Sequence, residues 1–209
     1  SEAVMSGTTC VQAVLREDGQ LVVSNLGDSR AVGAPRDRSL PGVDLSNDHK
    51  PDRPDELQRI RSSGGRVTQR RGDVPRVGGL ALSRAFGDLA AHAAGVISVP
   101  ESASFVSDEL EFVVLASDGV WDVASSADVV ELVRKMLSAG SAPVDIAAEV
   151  VRRCRLAWLA ETSGDYCDDV TAVVWLLPSM GGGDGDDSER RKPFAPGAKT
   201  TDVTRRAKL

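Results

Sequence analysis

The sequence predicts an α+β chain, with extended segments in its first half and helices gathered towards its C-terminal part. Residues 8–15 and 20–25 are strand-like runs joined by Arg16-Glu17-Asp18-Gly19, whose Asp-Gly pair suits a hairpin turn. Residues 112–116, Phe-Val-Val-Leu-Ala, are β-branched and aromatic enough for a strand buried on both faces. The stretches that begin at Ser125 and Pro143 instead repeat their apolar residues at helical spacing.

Taken in order, the second run ends in Leu26-Gly27-Asp28-Ser29-Arg30, and an extended pattern resumes over 31–34. Asp28 thus stands at a break between strands, where an Asx turn is the plain alternative to a functional role. Ser46-Asn47-Asp48-His49-Lys50-Pro51 is a loop. Over 55–63, Leu57 and Ile60 lie one turn apart and Gly64 offers a C-terminal cap, so a short surface helix is expected. Residues 65–69 and 76–82 read as another hairpin around Arg70-Arg71-Gly72-Asp73, and the Ala-rich stretch 89–95 specifies little.

The apolar run 112–116 leads into Ser117-Asp118-Gly119, which puts a carboxylate at the mouth of a buried strand; a hairpin turn is the plain reading of Asp-Gly here. Ser125 and Asp128 make a capping box ahead of Val129, Val130, Val133, Met136 and Leu137. Pro143 stands near the first turn of a helix whose apolar face includes Ile146, Val150, Cys154 and Trp158. Both faces read as core. A last strand over 170–177 is apolar at nearly every position and is expected to be buried, with Asp168 and Asp169 at its edge.

From Ser179 the composition turns to Gly181-Gly182-Gly183-Asp184-Gly185-Asp186-Asp187 and then to Arg, Lys, Pro and Thr. One domain over 1–178 and a disordered polar tail over 179–209 are therefore expected. The Asp/Gly run lacks the closing Glu of a calcium loop. The final Ala207-Lys208-Leu209 resembles the Ser-Lys-Leu class of peroxisomal address.

With 209 residues, 41% hydrophobic and 27% charged, the chain has material for one ordinary core. A net charge of -6 with scattered basic residues argues against nucleic acid as a partner. No apolar run approaches the roughly 20 residues of a membrane span, and no signal peptide is read at Ser1-Glu2-Ala3-Val4. Three cysteines, Cys10, Cys154 and Cys167, without a Cys-x-x-Cys pair, suit a reducing intracellular compartment, cytoplasmic or nuclear by default. With only His49 and His92 present, any metal must be held by Asp and Glu oxygens, which points to magnesium or manganese.

Acids gathered at strand ends repel one another unless a cation sits among them. Two divalent ions held by bridging carboxylates bind phosphate oxygens and activate water near neutral pH, the arrangement that phosphoester hydrolysis needs.

Ser6-Gly7-Thr8-Thr9, Asn25-Leu26-Gly27-Asp28-Ser29-Arg30-Ala31-Val32, Asn47-Asp48-His49-Lys50-Pro51, Leu80-Ala81-Leu82-Ser83-Arg84-Ala85-Phe86-Gly87-Asp88, Pro100-Glu101, Leu115-Ala116-Ser117-Asp118-Gly119-Val120-Trp121-Asp122-Val123 and Asp168-Asp169-Val170-Thr171 follow in order. Their order and spacing resemble the PP2C family of metal-dependent (PPM-type) serine/threonine protein phosphatases, over about residues 6–177. The resemblance implies a PP2C-like antiparallel β-sandwich flanked by α-helices, a dinuclear Mg2+ or Mn2+ centre with a possible third ion, and hydrolysis of phosphoserine or phosphothreonine by a metal-activated water. It implies a phosphorylated protein as substrate and a monomeric catalytic domain. Position by position, Asp118 and Asp168 resemble metal ligands, Asp28 a ligand of the third, weaker metal, and Thr9 a residue close to the metal-bound waters. Asp169 stands where the family more often has Asn, and Trp121-Asp122 reads as structural, the indole packing under the Asp118 loop.

The family's early motifs, an Arg, an acidic pair and Asp-Gly-His, have no counterpart in this sequence. In the family they supply the phosphate-binding Arg, the Asp that bridges both metals and a general-acid His. The expectation is a C-terminal portion of the catalytic domain that lacks N-terminal strands, exposes apolar sheet edges and carries half of a two-metal site. A catalytically inactive pseudophosphatase or phosphoprotein-binding module is the alternative. Cys10-Val11-Gln12-Ala13-Val14-Leu15-Arg16 fits the Cys-x5-Arg spacing of cysteine-dependent phosphatases, but the intervening residues form a strand without glycine, so Cys10 reads as a core cysteine.

Overall fold

Where apolar residues alternate and Gly or Asp interrupts them, the chain forms short strands; where they recur at helical spacing, it forms two long helices. The computed structural model describes residues 4–179. The predicted polar tail and its terminal Ala207-Lys208-Leu209 lie outside the described residues. The elements in order are β1 (Gly7–Thr8), β2 (Cys10–Leu15), β3 (Gln20–Leu26), β4 (Arg30–Pro35), β5 (Val43–Asp44), α1 (Pro54–Ser62), β6 (Val67–Thr68), β7 (Arg76–Val77), β8 (Phe86–Gly87), α2 (Leu89–His92), β9 (Glu101–Val106), β10 (Leu110–Ala116), α3 (Asp118–Trp121), α4 (Ser126–Ser138), α5 (Pro143–Glu161) and β11 (Ala172–Leu176).

Two antiparallel sheets, ordered β2-β3-β9 and β11-β10-β4-β5, stack face to face. Leu21 and Val23 of β3 meet Ala31 of β4 and Val113 of β10 between them. The opposite face of the second sheet, with Val32, Ala34, Phe112, Val114 and Ala116, packs on Val129, Val130 and Val133 of α4 and Ile146, Val150 and Cys154 of α5. Strand β10 is therefore buried on both faces, as its composition predicts, and each such Val or Phe contributes about 1.5–3 kcal/mol of burial. The α4 capping box forms, with Ser125 Oγ accepting from the Asp128 N–H. The fold is α+β, an antiparallel sandwich with helices laid on it.

Four expectations are corrected. Cys10 is exposed, not core: it shares the outward phase of β2 with Gln12 and Val14, and β2 is a sheet edge. Strand β11 is also an edge, and it leaves Val173 and Leu176 exposed. Asp118-Gly119 opens a single helical turn rather than a hairpin. Finally, α1 is not merely a surface helix, because it buries Ile60 and the charged Glu56.

Glu56 anchors a buried ion network. Its carboxylate accepts from Arg84 Nη2 (2.6 Å), Arg59 Nη2 (2.7 Å) and Ser83 Oγ. Arg84 Nη2 also reaches Glu101 Oε1 (2.9 Å), which accepts from Arg53 Nη2 as well (2.6 Å). The ring of fully buried His49 faces Glu101 Oε2 through Nε2 at 3.4 Å, an ion-pair distance without hydrogen-bond alignment. Nδ1 of His49 accepts the Gly27 N–H (3.0 Å), and the His49 N–H donates to the Gly27 carbonyl (3.0 Å). The network thereby joins α1, the segment after β7 and β9 to the turn that carries Asp28.

Burial alone would raise the carboxyl pKa of Glu56 and Glu101. Hydrogen bonds from Arg84, Arg59 and Ser83 at Glu56, and the His49 and Arg53 groups at Glu101, outweigh it and hold each at about 2. Such depressed groups stabilise the fold above their unfolded pKa near 4.5, and the stability is lost as pH falls towards 2. Glu56→Gln is expected to cost about 3–5 kcal/mol at pH 7 and to flatten the acid limb of stability between pH 4.5 and 2, as measured by denaturant titration. In the folded chain Ellman's reagent is expected to label Cys10 first and Cys154 only on unfolding; Cys10→Ser removes the fast phase.

Candidate functional site

Strand register brings the predicted acids to one place. Arg30 opens β4, Ala116 closes β10 and Ala172 opens β11, and Ala116 pairs with both Arg30 and Ala172. Asp28 precedes β4, Asp118 follows β10 and Asp168 precedes β11, so all three overhang the same end of one sheet.

Each loop is tied down by its own contacts. The nearly buried Asp28 accepts from Lys50 Nζ at 2.6 Å. Thr9 Oγ1 lies 2.8 Å from Ser29 Oγ, and its methyl fills the space beside Gly27 (φ +104°), where a Cβ would come within 2.3 Å of it. Thr9 thus packs on the turn that carries Asp28. Arg30 makes a two-pronged pair with Asp48 (2.9 and 2.8 Å) and lies over the Trp121 ring, 5.4 Å from its centroid. The Trp121 Nε1–H donates to the Ala116 carbonyl (2.9 Å), under the Asp118 turn as the sequence predicts.

The Asp118 and Asp168 loops are stitched together at Ser117. Its N–H donates to the Thr171 carbonyl, its hydroxyl donates to the Asp169 carbonyl, and the hydroxyl oxygen accepts the Thr171 N–H, each at 3.1 Å. Gly119 is required by this closeness, since a Cβ there would stand 2.4 Å from the Asp169 carbonyl oxygen.

The electrostatics mark this end of the sheet as unneutralised. Burial first, then the charges of Asp28, Asp168 and Asp122, push the Asp118 carboxyl up to about 6, with Lys50 pulling the other way. The pKa of Asp122 is raised too, by burial and then by Asp28, Asp168 and Asp48 against the pull of Lys50. Burial lowers the pKa of the Lys50 ammonium, but its hydrogen bond and ion pair with Asp28, backed by Asp122 and Asp48, leave it raised. Asp122 and Lys50 are the members that sequence reasoning missed. The signal for Asp122 was its spacing: it follows Asp118 by four residues, one helical turn, and so shares its face.

A second acid group, Asp55, Glu56 and Glu101, has carboxylate oxygens within 4.8 Å of one another. Arg53, Arg59 and Arg84 already hold those oxygens, so the positive charge there is built in.

Because the folded carboxyl of Asp118 is raised above its ordinary 3.8, its contribution to stability is fully present below that value and is lost as pH rises through about 6. Metal-free Asp118→Asn is therefore expected to melt higher than the parent at pH 7, with the gap closing by pH 4, as followed by circular dichroism.

The family model described as Protein phosphatase 2C matches residues 1–161. The chain is 41% identical over 188 residues to Probable protein phosphatase 2C 14 of Oryza sativa subsp. japonica, covering 84% of this chain and 35% of that protein. It is 41% identical over 187 residues to Probable protein phosphatase 2C 33 of Arabidopsis thaliana, covering 83% and 37%. Against the crystal structure of serine-threonine phosphatase 2C from Toxoplasma gondii the TM-score is 0.72 at 29% identity, over 85% of this chain and 60% of that one. The chain spans a little over a third of the length of each of these curated relatives. With the sandwich, the ordered motifs and the carboxylates at one sheet end, the chain belongs to the protein phosphatase 2C family.

Proposed function

We propose that the chain forms part of the site of a metal-dependent serine/threonine phosphatase acting on phosphorylated proteins. The observation that carries this reading is the convergence of Asp28, Asp118, Asp122 and Asp168 on one sheet end, with Lys50 the cation beside them and Asp118 pushed up to about 6. A donor set made of carboxylate oxygens fits a hard divalent cation, Mg2+ or Mn2+. Asp118 and Asp168 are the residues to hold it, with Asp28 and Asp122 disposed towards a further, weaker ion. When bound, such ions neutralise phosphate charge and activate water as Lewis acids. The chain's own residues fix the geometry: Lys50 holds the Asp28 carboxylate, Ser117 fastens the Asp118 turn to the Asp168 loop, and Thr9 borders the Asp28 turn.

A second reading, a phosphoprotein-binding module without turnover, is favoured by the histidines. His49 is fully buried and engaged with Gly27 and Glu101, and exposed His92 has Nε2 against the Gly87 carbonyl (3.1 Å). Both rings are thus engaged by contacts within the fold.

The two readings separate in an assay of the protein that contains this chain, on a phosphothreonine peptide with and without Mn2+ or Mg2+. Turnover is expected only with metal, and Asp118→Asn or Asp168→Asn should each lower kcat by about a hundredfold or more. Full rates in those variants overturn the site assignment, whereas metal-dependent peptide binding without turnover selects the second reading. The chain of 209 residues by itself is expected to turn over little or nothing.

A further inference from the structure

An indole in a protein core is ordinarily a packing residue whose N–H takes the nearest acceptor, as Trp121 does with Ala116. Trp158, in the last turn of α5, differs in where its contacts lead. Its Nε1–H donates to the carbonyl of Gly119 at 2.8 Å, the residue that follows Asp118. The ring also meets Tyr166 edge to face, with centroids 5.6 Å apart and planes at 87°. Tyr166 lies two residues before Asp168, so the ring contact reaches the loop that carries that carboxylate.

The turn between the two aromatics is built to keep them in contact. Thr162 Oγ1 lies 2.8 Å from the Trp158 carbonyl and 2.7 Å from the Tyr166 carbonyl, and it accepts the Tyr166 N–H at 3.1 Å. Ser163 (φ +56°) and Gly164 (φ +88°) both take left-handed backbone to reverse the chain, a conformation that is unfavourable for a serine unless its surroundings impose it.

We propose that Trp158 and Tyr166 are a positioning pair, holding the Asp118 turn and the Asp168 loop at the separation that one divalent cation requires. The proposal rests on the metal reading given above. Mg2+ demands near-ideal octahedral geometry, and two like-charged carboxylates from separate loops drift apart unless their backbones are tied. Ser117 ties them through Thr171 and Asp169, and Trp158 with Tyr166 ties them from the α5 side. Groups that hold a metal's ligands in place, without touching the metal, commonly change affinity by 10–100-fold when removed.

Trp158→Phe keeps a ring against Tyr166 and loses only the donor to Gly119; Tyr166→Leu keeps an apolar side chain and loses the edge-to-face ring contact. Mn2+ binding by calorimetric titration is expected to weaken about tenfold in each, with metal-free melting temperatures changed little. Because both act on one geometry, the double variant should weaken binding by less than the product of the single effects. Mn2+ affinities within twofold of the parent in both single variants overturn the proposal, whatever the loss in melting temperature. A parent chain that takes up no Mn2+ overturns the metal reading instead, and amide hydrogen exchange then decides the pairing. Faster exchange at 117–119 and at 168–171 together in metal-free Trp158→Phe supports it, and unchanged protection at both overturns it.

Discussion

The buried carboxylate of Glu56 is the constraint on which the placement of this site depends. A lone ionised group in a core costs several kcal/mol, and Glu56 is tolerated because Arg84, Arg59 and Ser83 surround it with donors. Those donors come from outside the first turn of α1, so satisfying Glu56 forces the helix against the segment carrying Ser83 and Arg84 and, through Glu101, against β9. His49 extends the same chain of contacts to Gly27. The turn that presents Asp28 is thus held from behind by a network that includes none of the predicted metal ligands.

Two groups of acids in one small domain meet opposite fates, and the difference is the company they keep. Around Glu56 and Glu101, guanidinium groups supply the positive charge, and the carboxyls are held near 2. Around Asp118, Lys50 is the cation whose pull is felt, it is already spent on Asp28, and Asp118 is driven up to about 6. The first arrangement is complete without a ligand and serves the fold. The second is electrostatically unfinished, its repulsion left to burial and Lys50.

The layers explain why this unfinished region survives. Strand β10 is packed on one side by the facing sheet and on the other by α4 and α5, so its end cannot shift when the acids repel. Trp121, Trp158 and Ser117 then fasten the turn beyond it to β10, α5 and the Asp168 loop. Packing stability from the core is set against repulsion at the rim. The outer strands β2 and β11, by contrast, leave Val14, Val173 and Leu176 in solvent.

Local patterns in the chain were enough to determine the hairpin at Gly19, the two-sided burial of β10, the capping box at Ser125 and the carboxylates at strand mouths, since each depends on neighbours within a few residues. Ordered motifs extended that to the family. Tertiary structure decided what local patterns do not encode. Cys10 faces solvent and β11 is half exposed because burial of a strand depends on what lies beside it, not on its own apolar residues. Glu56 is buried because Arg84 and Ser83, far along the chain, reach it, and Asp122 joins the acids because one helical turn puts it under Asp118. The chain alone determined which residues carry charge and where strands stop; which charges meet was settled by register and packing, which act between segments far apart in sequence.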